Sequence, residues 1–97
     1  MAEIVKFDKF KIIKATADEL RKATHYFSFG ICDYCGGRPK EGYYIAVINK
    51  WYCAECFSNF KKRARWFSED APIEERNFQY YGKLLGVIPD KDGNPPA

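Results

Sequence analysis

Long apolar runs, low-complexity tracts and internal repeats are all missing from this sequence of 97 residues. No segment approaches the roughly 20 apolar residues of a membrane-spanning helix, so we expect no membrane contact. Residues 1–14 intersperse four lysines with apolar side chains, whereas a secretory signal peptide needs a continuous apolar centre. We therefore expect an intracellular, cytoplasmic protein that is not secreted.

Histidine is nearly absent, since His25 is the only one in the chain. A surface or partly packed imidazole is the simpler interpretation, and a pH-sensitive or ligand-binding role is the alternative. No Ser/His/Asp grouping and no glycine-rich phosphate loop can be built around it. The acidic pairs at 18–19, 69–70 and 74–75 fall at predicted helix starts, where carboxylates favour the helix dipole. We therefore expect no enzymatic activity and no small-molecule substrate.

The chain is also short, and this limits how much surface it can bury. A domain of 97 residues commonly needs a metal ion or disulfides for stability. Its 46% hydrophobic and 18% aromatic content is nevertheless too high for a disordered protein. We expect a single domain over residues 1–88 and a flexible tail over 89–97, where proline, glycine and charged residues dominate.

Four cysteines form two pairs, Cys32 with Cys35 and Cys53 with Cys56, in the spacing C-x2-C-x17-C-x2-C. In a thiol-reducing compartment, such pairs bind a metal ion more often than they form disulfides. Gly36-Gly37 directly follows the first pair, as in a zinc knuckle, whose turn aims both sulfurs at one ion. We expect one structural zinc ion, because four protein ligands leave no open position for a catalytic water. A rubredoxin-like iron site and two disulfides are the alternatives.

The N-terminal third predicts strand structure followed by a helix. Apolar side chains alternate over residues 4–13, as in a half-buried strand, and the alternation slips at Asp8-Lys9, which indicates a bulge or a tight turn. Thr16 and Glu19 have the spacing of a capping box, so we expect a helix over residues 17–26.

A β-hairpin is predicted between the two cysteine pairs. Its strand, turn and returning strand fall at residues 43–48, 49–50 and 51–52. Because side chains alternate along a strand, Ile45 and Val47 should lie on one face, and Tyr44 and Ala46 on the other.

Two helices are predicted in the remaining sequence. The first begins at the second cysteine pair, and its inward face consists of Phe57, Phe60, Ala64 and Phe67. The second begins at Asp70-Ala71-Pro72 and ends at Gly86. Its inward side consists of Ile73, Asn77, Tyr80, Tyr81, Leu84 and Leu85.

The order of knuckle, β-hairpin and helix resembles the treble-clef zinc finger over residues 31–67. The cysteine spacing is similar to that of GATA-type DNA-binding fingers, and Trp51-Tyr52-Cys53 running into Cys56-Phe57 is faintly similar to LIM domains. The basic and aromatic GATA hairpin is replaced by an apolar one at 43–48, and the middle histidine of a LIM finger has no counterpart. The resemblance implies a small α+β zinc-stabilised domain with a treble-clef core, an N-terminal strand-helix extension and a C-terminal helix.

The net charge of +3 is unevenly distributed. Residues 32–65 contain seven Lys/Arg and three Asp/Glu, whereas residues 66–97 contain three and six. Four thiolates on a divalent zinc ion add about −2 locally, which leaves the whole protein at roughly +1. General attraction to nucleic acid would then be weak, so any such binding must depend on a local basic surface.

The densest basic cluster is at residues 61–66, where two interpretations of Trp66 are open. In one, Trp66 ends the helix and folds under the acidic C-terminal helix, while the cations only solvate a surface. In the other, Trp66 and the cations form a face that contacts phosphates and stacks on an unpaired base. The candidate partner-binding residues are Arg38, Lys40, Lys50, Lys61, Lys62, Arg63, Arg65 and Trp66.

Among functions, we favour nucleic-acid binding through the basic helix at residues 57–66. The alternative is a protein-interaction adaptor or inhibitor, because Tyr, Trp and Arg are favoured at protein interfaces. Compact domains of this kind are common among phage and mobile-element products that bind a host protein. The sequence thus predicts a binding module and leaves the class of its partner open.

Overall fold

The computed structural model describes residues 2–24 and 30–88 of the chain. The elements are β1 (Glu3–Phe7), β2 (Phe10–Thr16), α1 (Ala17–Thr24), β3 (Glu41–Ile45), β4 (Lys50–Cys53), α2 (Ala54–Arg63), a 3-10 turn (Ser68–Asp70) and α3 (Ala71–Leu84). His25, the end of the predicted first helix and the predicted tail at 89–97 lie outside these ranges. No helix within the ranges has the length and apolar character required to cross a membrane.

The strands form one antiparallel sheet in the order β1-β2-β3-β4. The slip at Asp8-Lys9 is a tight turn, because Phe7 pairs with Phe10 and Asp8 adopts a positive φ of 51°. Ile12 of β2 pairs with Ile45 of β3. The N-terminal segment is therefore not a separate extension, because it supplies two of the four strands beside the predicted hairpin.

The predicted capping box starts α1 directly at the end of β2. The Glu19 amide donates to Thr16 Oγ1 at 3.1 Å, and the Thr16 amide donates to Glu19 Oε1 at 2.9 Å. These two bonds satisfy backbone donors that the first turn of a helix leaves without partners. The prediction that α1 begins after Thr16 is confirmed.

The sheet buries a separate cluster of side chains on each face. On one face, side chains of the sheet pack against Phe57 and Phe60 of α2; these sheet residues are Phe10, Ile12, Ile45 and Tyr52. The other buries Ile13, Ala15, Leu20, Tyr44, Ala46 and Trp51, with contacts from α1 and α3. Val47 packs against the first cluster with Ile45, whereas Tyr44 and Ala46 belong to the second, so the predicted alternation is confirmed.

The hairpin between the cysteine pairs is shorter than predicted. β3 ends at Ile45, which pairs with Lys50, and a turn occupies residues 46–49. Asn49 adopts a positive φ of 54°, a conformation that asparagine tolerates better than most residues, and the Asn49 amide donates to the Ala46 carbonyl at 3.2 Å. The apolar residues at 46–48 therefore belong to the turn and not to the strand.

The helix predicted to begin at the second cysteine pair also ends early, at Arg63, although the predicted basic helix covers residues 57–66. Ala64 has an extended backbone, with φ −71° and ψ 139°, and Phe67 is 50% exposed. The prediction that Phe67 lies on the inward face is wrong. Trp66 leaves the helix line and its Nε1 donates to Glu74 Oε1 of α3 at 3.2 Å, so Trp66 folds against the C-terminal helix.

α3 begins at Ala71, as predicted, although the Asp70 side chain makes no capping hydrogen bond. Its end is also as predicted, because Gly86 has a positive φ of 79° and the Val87 amide donates to the Gly82 carbonyl at 2.9 Å. The two bonds from Gly86 and Val87 back to the last turn form a Schellman motif, in which a positive φ favours glycine.

The inward side of α3 is more polar than predicted. Ile73 and Tyr80 are 47% and 60% exposed, so their inward placement is wrong, whereas Glu74 is only 2% exposed. The Lys11 amide donates to Glu74 Oε2 at 3.0 Å, and Asn77 Nδ2 donates to the Ala46 carbonyl at 2.9 Å. Glu74 and Asn77 thus form hydrogen bonds with the backbone of Lys11 and Ala46, next to the end of β3. The side of α3 that carries these two residues therefore faces the sheet.

Candidate metal centre

The four cysteine sulfurs form one cluster. All four lie within 4.8 Å of one another, and Cys35 Sγ and Cys53 Sγ are 3.9 Å apart. A zinc ion with Zn–S bonds of about 2.3 Å would hold tetrahedral sulfurs about 3.8 Å apart. Disulfide sulfurs would be only about 2.05 Å apart, and all four cysteines are free. The cluster therefore fits one tetrahedrally bound metal ion.

The first cysteine pair lies in a tight loop closed by backbone hydrogen bonds. The Cys32 amide donates to the Gly37 carbonyl at 2.8 Å, and the Gly36 amide donates to the Cys32 carbonyl at 2.9 Å. Gly36 has a φ of 76°, which glycine adopts without a steric penalty. The Gly37 amide also approaches Cys35 Sγ at 3.4 Å. These contacts form a tight turn of the predicted kind over residues 32–37, called here the knuckle.

The second pair joins a strand to a helix. Cys53 is the last residue of β4 and the N-cap of α2, and Cys56 lies in the first turn of α2. The amide ends at the start of a helix favour negative charge, so this position stabilises thiolates. The sequence analysis predicted a helix start here from the helical spacing of the apolar residues that follow the second pair.

Asp33 connects the knuckle to β4 and thereby brings the two pairs together. The Asp33 amide donates to the Trp51 carbonyl at 2.9 Å, and the Trp51 amide donates to Asp33 Oδ2 at 2.9 Å. Both bonds lie two residues from Cys53 along the chain. These two hydrogen bonds therefore help to position the four sulfurs around one ion.

The cluster has a buried side and an exposed side. Cys32 and Cys56 are 1% and 7% exposed and belong to the core under α2, whereas Cys35 is exposed and Cys53 is half-buried. A metal ion held here would link the hydrophobic core to the surface loop.

The pKa values of the cysteines indicate that the cluster needs a bound cation before all four thiols can ionise. Burial opposes ionisation of Cys32, but backbone N–H groups of Cys35 and Cys53 outweigh it and lower the pKa of Cys32 to about 6. Burial and the neighbouring cysteines raise the pKa of Cys56. One thiolate forms readily in this cluster, whereas four require a compensating positive charge. A divalent metal ion supplies that charge.

The predicted cations of residues 61–65 are all at the surface. Lys61, Lys62, Arg63 and Arg65 are exposed. Arg63 Cζ lies 5.3 Å from the centroid of the Tyr34 ring in the knuckle, and Lys61 Nζ lies 5.0 Å from that of Phe57. Arg63 therefore borders the metal centre, where the end of α2 meets the first cysteine pair.

The other predicted cations border two cavities instead. Arg38 and Lys40 line a cavity of about 610 Å³ beside the start of α1, and Lys50 lines one of about 210 Å³ beside Tyr44 and Tyr81. No α2 residue lines either cavity within the ranges that the structure describes. Arg38, Lys40 and Lys50 thus line cavities that the described cations of residues 61–65 do not line.

Trp66 follows the first of its two interpretations, in which it folds against the C-terminal helix. Trp66 is half-buried between α3 and Lys9, whose Nζ lies 5.6 Å from its ring centroid, so it is not a projecting helix residue. Tyr34 is 62% exposed and was not predicted as a site residue. The available signal was its position as one of the two residues between Cys32 and Cys35, because a turn that aims both cysteines at one ion leaves room for a residue between them to face outward.

Comparison of the chain with protein-family models, with curated proteins and with solved structures found no match. The four-stranded α+β fold and the cysteine cluster are therefore described from their own geometry.

Proposed function

We propose that this protein is a non-enzymatic binding module, that one structural zinc ion stabilises it in a thiol-reducing compartment, and that it binds nucleic acid. The observation that supports this proposal is the exposed cation cluster at residues 61–65 beside the cysteine cluster. Lys and Arg side chains in such a cluster can contact the phosphates of a nucleic acid, and this contact does not require a high net charge over the whole protein.

Zinc is the proposed ion because tetrahedral sulfur sites at this spacing are typical of structural zinc. A tetrahedral sulfur site also accepts iron, but a rubredoxin-like site normally has two glycine-containing knuckles, whereas the second pair here begins a helix. The order of the knuckle at 32–37, the β3–β4 hairpin and α2 supports a treble-clef arrangement. Four ligands fill the tetrahedron, so the proposed role of the ion is structural and not catalytic.

The arrangement of the cations supports contact with an extended phosphate backbone. Successive helix residues are separated by about 100°, so Lys61 and Arg63 lie on opposite flanks of α2 while Lys62 faces outward between them. Arg65 follows in the extended segment after the helix. The result is a basic surface, defined here as Lys61, Lys62, Arg63 and Arg65. Cations at the end of a helix also interact with its dipole, so a binding measurement must separate the two roles.

We expect a double variant, Lys62→Ala with Arg65→Ala, to weaken binding to every nucleic-acid sequence alike. If both residues contact phosphates, the dependence of log K on log salt should decrease by about one unit for each lost contact. Fluorescence anisotropy titrations at several salt concentrations would measure this slope.

The matched control removes Lys22 and Arg76, which are exposed on α1 and α3. This pair has the same residue types and the same total charge, so its slope should stay close to that of the wild type. An equal loss in both double variants would show that net charge and not the basic surface drives binding.

A protein partner is the second candidate, because three large apolar side chains are exposed in one stretch of the chain. Phe67, Ile73 and Tyr80 are 50%, 47% and 60% exposed. Aromatic and aliphatic groups of this kind anchor protein interfaces. Wild-type protein that binds neither single-stranded nor duplex nucleic acid even at low salt would favour this candidate and overturn the first.

A further inference from the structure

Tyr34 is an exposed aromatic residue on a rigid loop beside the basic surface. From this placement we infer that the preferred ligand is single-stranded nucleic acid and that Tyr34 stacks on an unpaired base. The inference rests on the proposed function and specifies the class of nucleic acid that the same surface binds.

The position of Tyr34 follows from the metal centre. It lies between Cys32 and Cys35, whose sulfurs point into the cluster, and its side chain is 62% exposed. The loop is closed by a hydrogen bond in which the Gly36 amide donates to the Cys32 carbonyl at 2.9 Å, and the adjacent Asp33 is hydrogen-bonded to Trp51. The ring therefore projects from a backbone that is fixed on both sides.

The ring itself is also oriented by its neighbours. Tyr34 meets the buried Tyr52 ring edge-on, with centroids 5.7 Å apart and an interplanar angle of 72°. Arg63 Cζ lies over the Tyr34 ring at 5.3 Å from its centroid. Because these contacts restrict the ring before a ligand binds, stacking would cost little additional conformational entropy.

The contact between Arg63 and Tyr34 also places a positive charge beside the aromatic ring, and this charge complements the phosphates of a nucleic acid. Arg63 belongs both to the basic surface and to the surroundings of Tyr34, so a strand whose base stacks on Tyr34 would have its phosphates close to a cation. Combinations of an aromatic platform and adjacent cations are typical of proteins that bind single strands. In a duplex both faces of an internal base are already stacked, so an exposed tyrosine favours unpaired bases.

Tyr80 provides a close comparison within the same chain. It is 60% exposed, and its ring packs edge-on against Tyr81 with centroids 5.1 Å apart. Among the tyrosines that the structure describes, Tyr34 is the one with a cation over its ring. Exposure alone is thus matched between the two residues, while the adjacent cation is not.

The test measures binding of labelled oligothymidylate of about 12 nucleotides, a length in the range of known single-strand sites, and of the same strand paired with oligoadenylate. We expect Tyr34→Ala to weaken single-strand binding by about 5- to 160-fold, which is the range for loss of one stacked base. The salt slope and duplex binding should change little. Tyr34→Phe should bind almost as well as the wild type, and Tyr80→Ala should have no effect.

A second measurement covers the case in which Tyr34→Ala lowers stability. In NMR spectra of the wild type, the Tyr34 ring resonances can be assigned by comparison with Tyr34→Phe, and oligothymidylate should shift them while leaving those of Tyr80 in place. Salt-dependent binding with unshifted Tyr34 resonances, or with less than a twofold loss in a folded Tyr34→Ala variant, would overturn this inference and leave the proposed function standing. Absence of binding to either nucleic acid at low salt would overturn both.

Discussion

Chelation of the metal ion should unfold the segment from residue 31 to residue 67 and the sheet that depends on it. Structural zinc contributes on the order of 10 kcal/mol in small domains, and the whole free energy of unfolding of a domain is about 5–15 kcal/mol. Two of the ligands, Cys32 and Cys56, lie in the core under α2. Without the ion, the bonds that link α2 to the knuckle are lost and neighbouring thiolates repel one another.

Circular dichroism with and without a strong chelator would measure this effect, and Cys56→Ser should reproduce it without chelator. Ser58→Ala is the matched control, because Ser58 is exposed on the same helix two residues away. Unchanged melting after chelation and in Cys56→Ser would show that the fold does not depend on a metal ion.

The second large effect is expected from Phe60→Ala. Phe60 is 8% exposed, and its ring lies 5.5 Å from that of Phe10 and 6.3 Å from that of Tyr52, measured between centroids. It therefore joins α2 to β2 and β4. Removal of a buried phenylalanine side chain costs about 3–5 kcal/mol, because contacts are lost and a cavity remains.

Phe67→Ala is the control for this variant, because the same chemical change is made at a side chain that is 50% exposed. We expect the control to stay within about 0.5 kcal/mol of the wild type, as is usual for surface substitutions. Chemical denaturation of the zinc-loaded proteins gives both free energies. Equal losses at the two positions would contradict the assigned inward face of α2.

Features that depend on neighbouring residues could be predicted from the sequence. The spacing of the cysteines indicated their cluster, Thr16 and Glu19 indicated the start of α1, and alternation separated Ile45 from Tyr44. Each of these signals depends on a few consecutive residues, because turns, caps and strand faces are determined by local backbone geometry.

Pairings between distant parts of the chain could not be predicted in the same way. Alternation identifies a strand but does not specify its partner, so the pairing of Ile12 with Ile45 was not foreseen and the first two strands were described as an extension. Glu74 shows the same limit. Its place in the first turn of α3 suggested a role at the helix start, whereas the fold buries it against the Lys11 amide and Trp66.

The end of α2 illustrates how tertiary contacts override periodicity. Phe57, Phe60, Ala64 and Phe67 share a helical face in the sequence, yet the backbone is extended from Ala64. The hydrogen bond from Trp66 to Glu74 holds the segment after the helix against α3. The same contact is the reason why the proposed basic surface does not include Trp66. The outward position of Tyr34 became visible only when the knuckle geometry was known.

Native mass spectrometry of the purified protein, combined with elemental analysis, tests the metal centre most directly. A structural zinc site predicts one zinc ion per folded chain, lost when the protein is denatured in acid, and four free thiols in the released chain. A folded chain without metal, a chain lighter by the hydrogens lost in two disulfides, or an iron ion in place of zinc would contradict it.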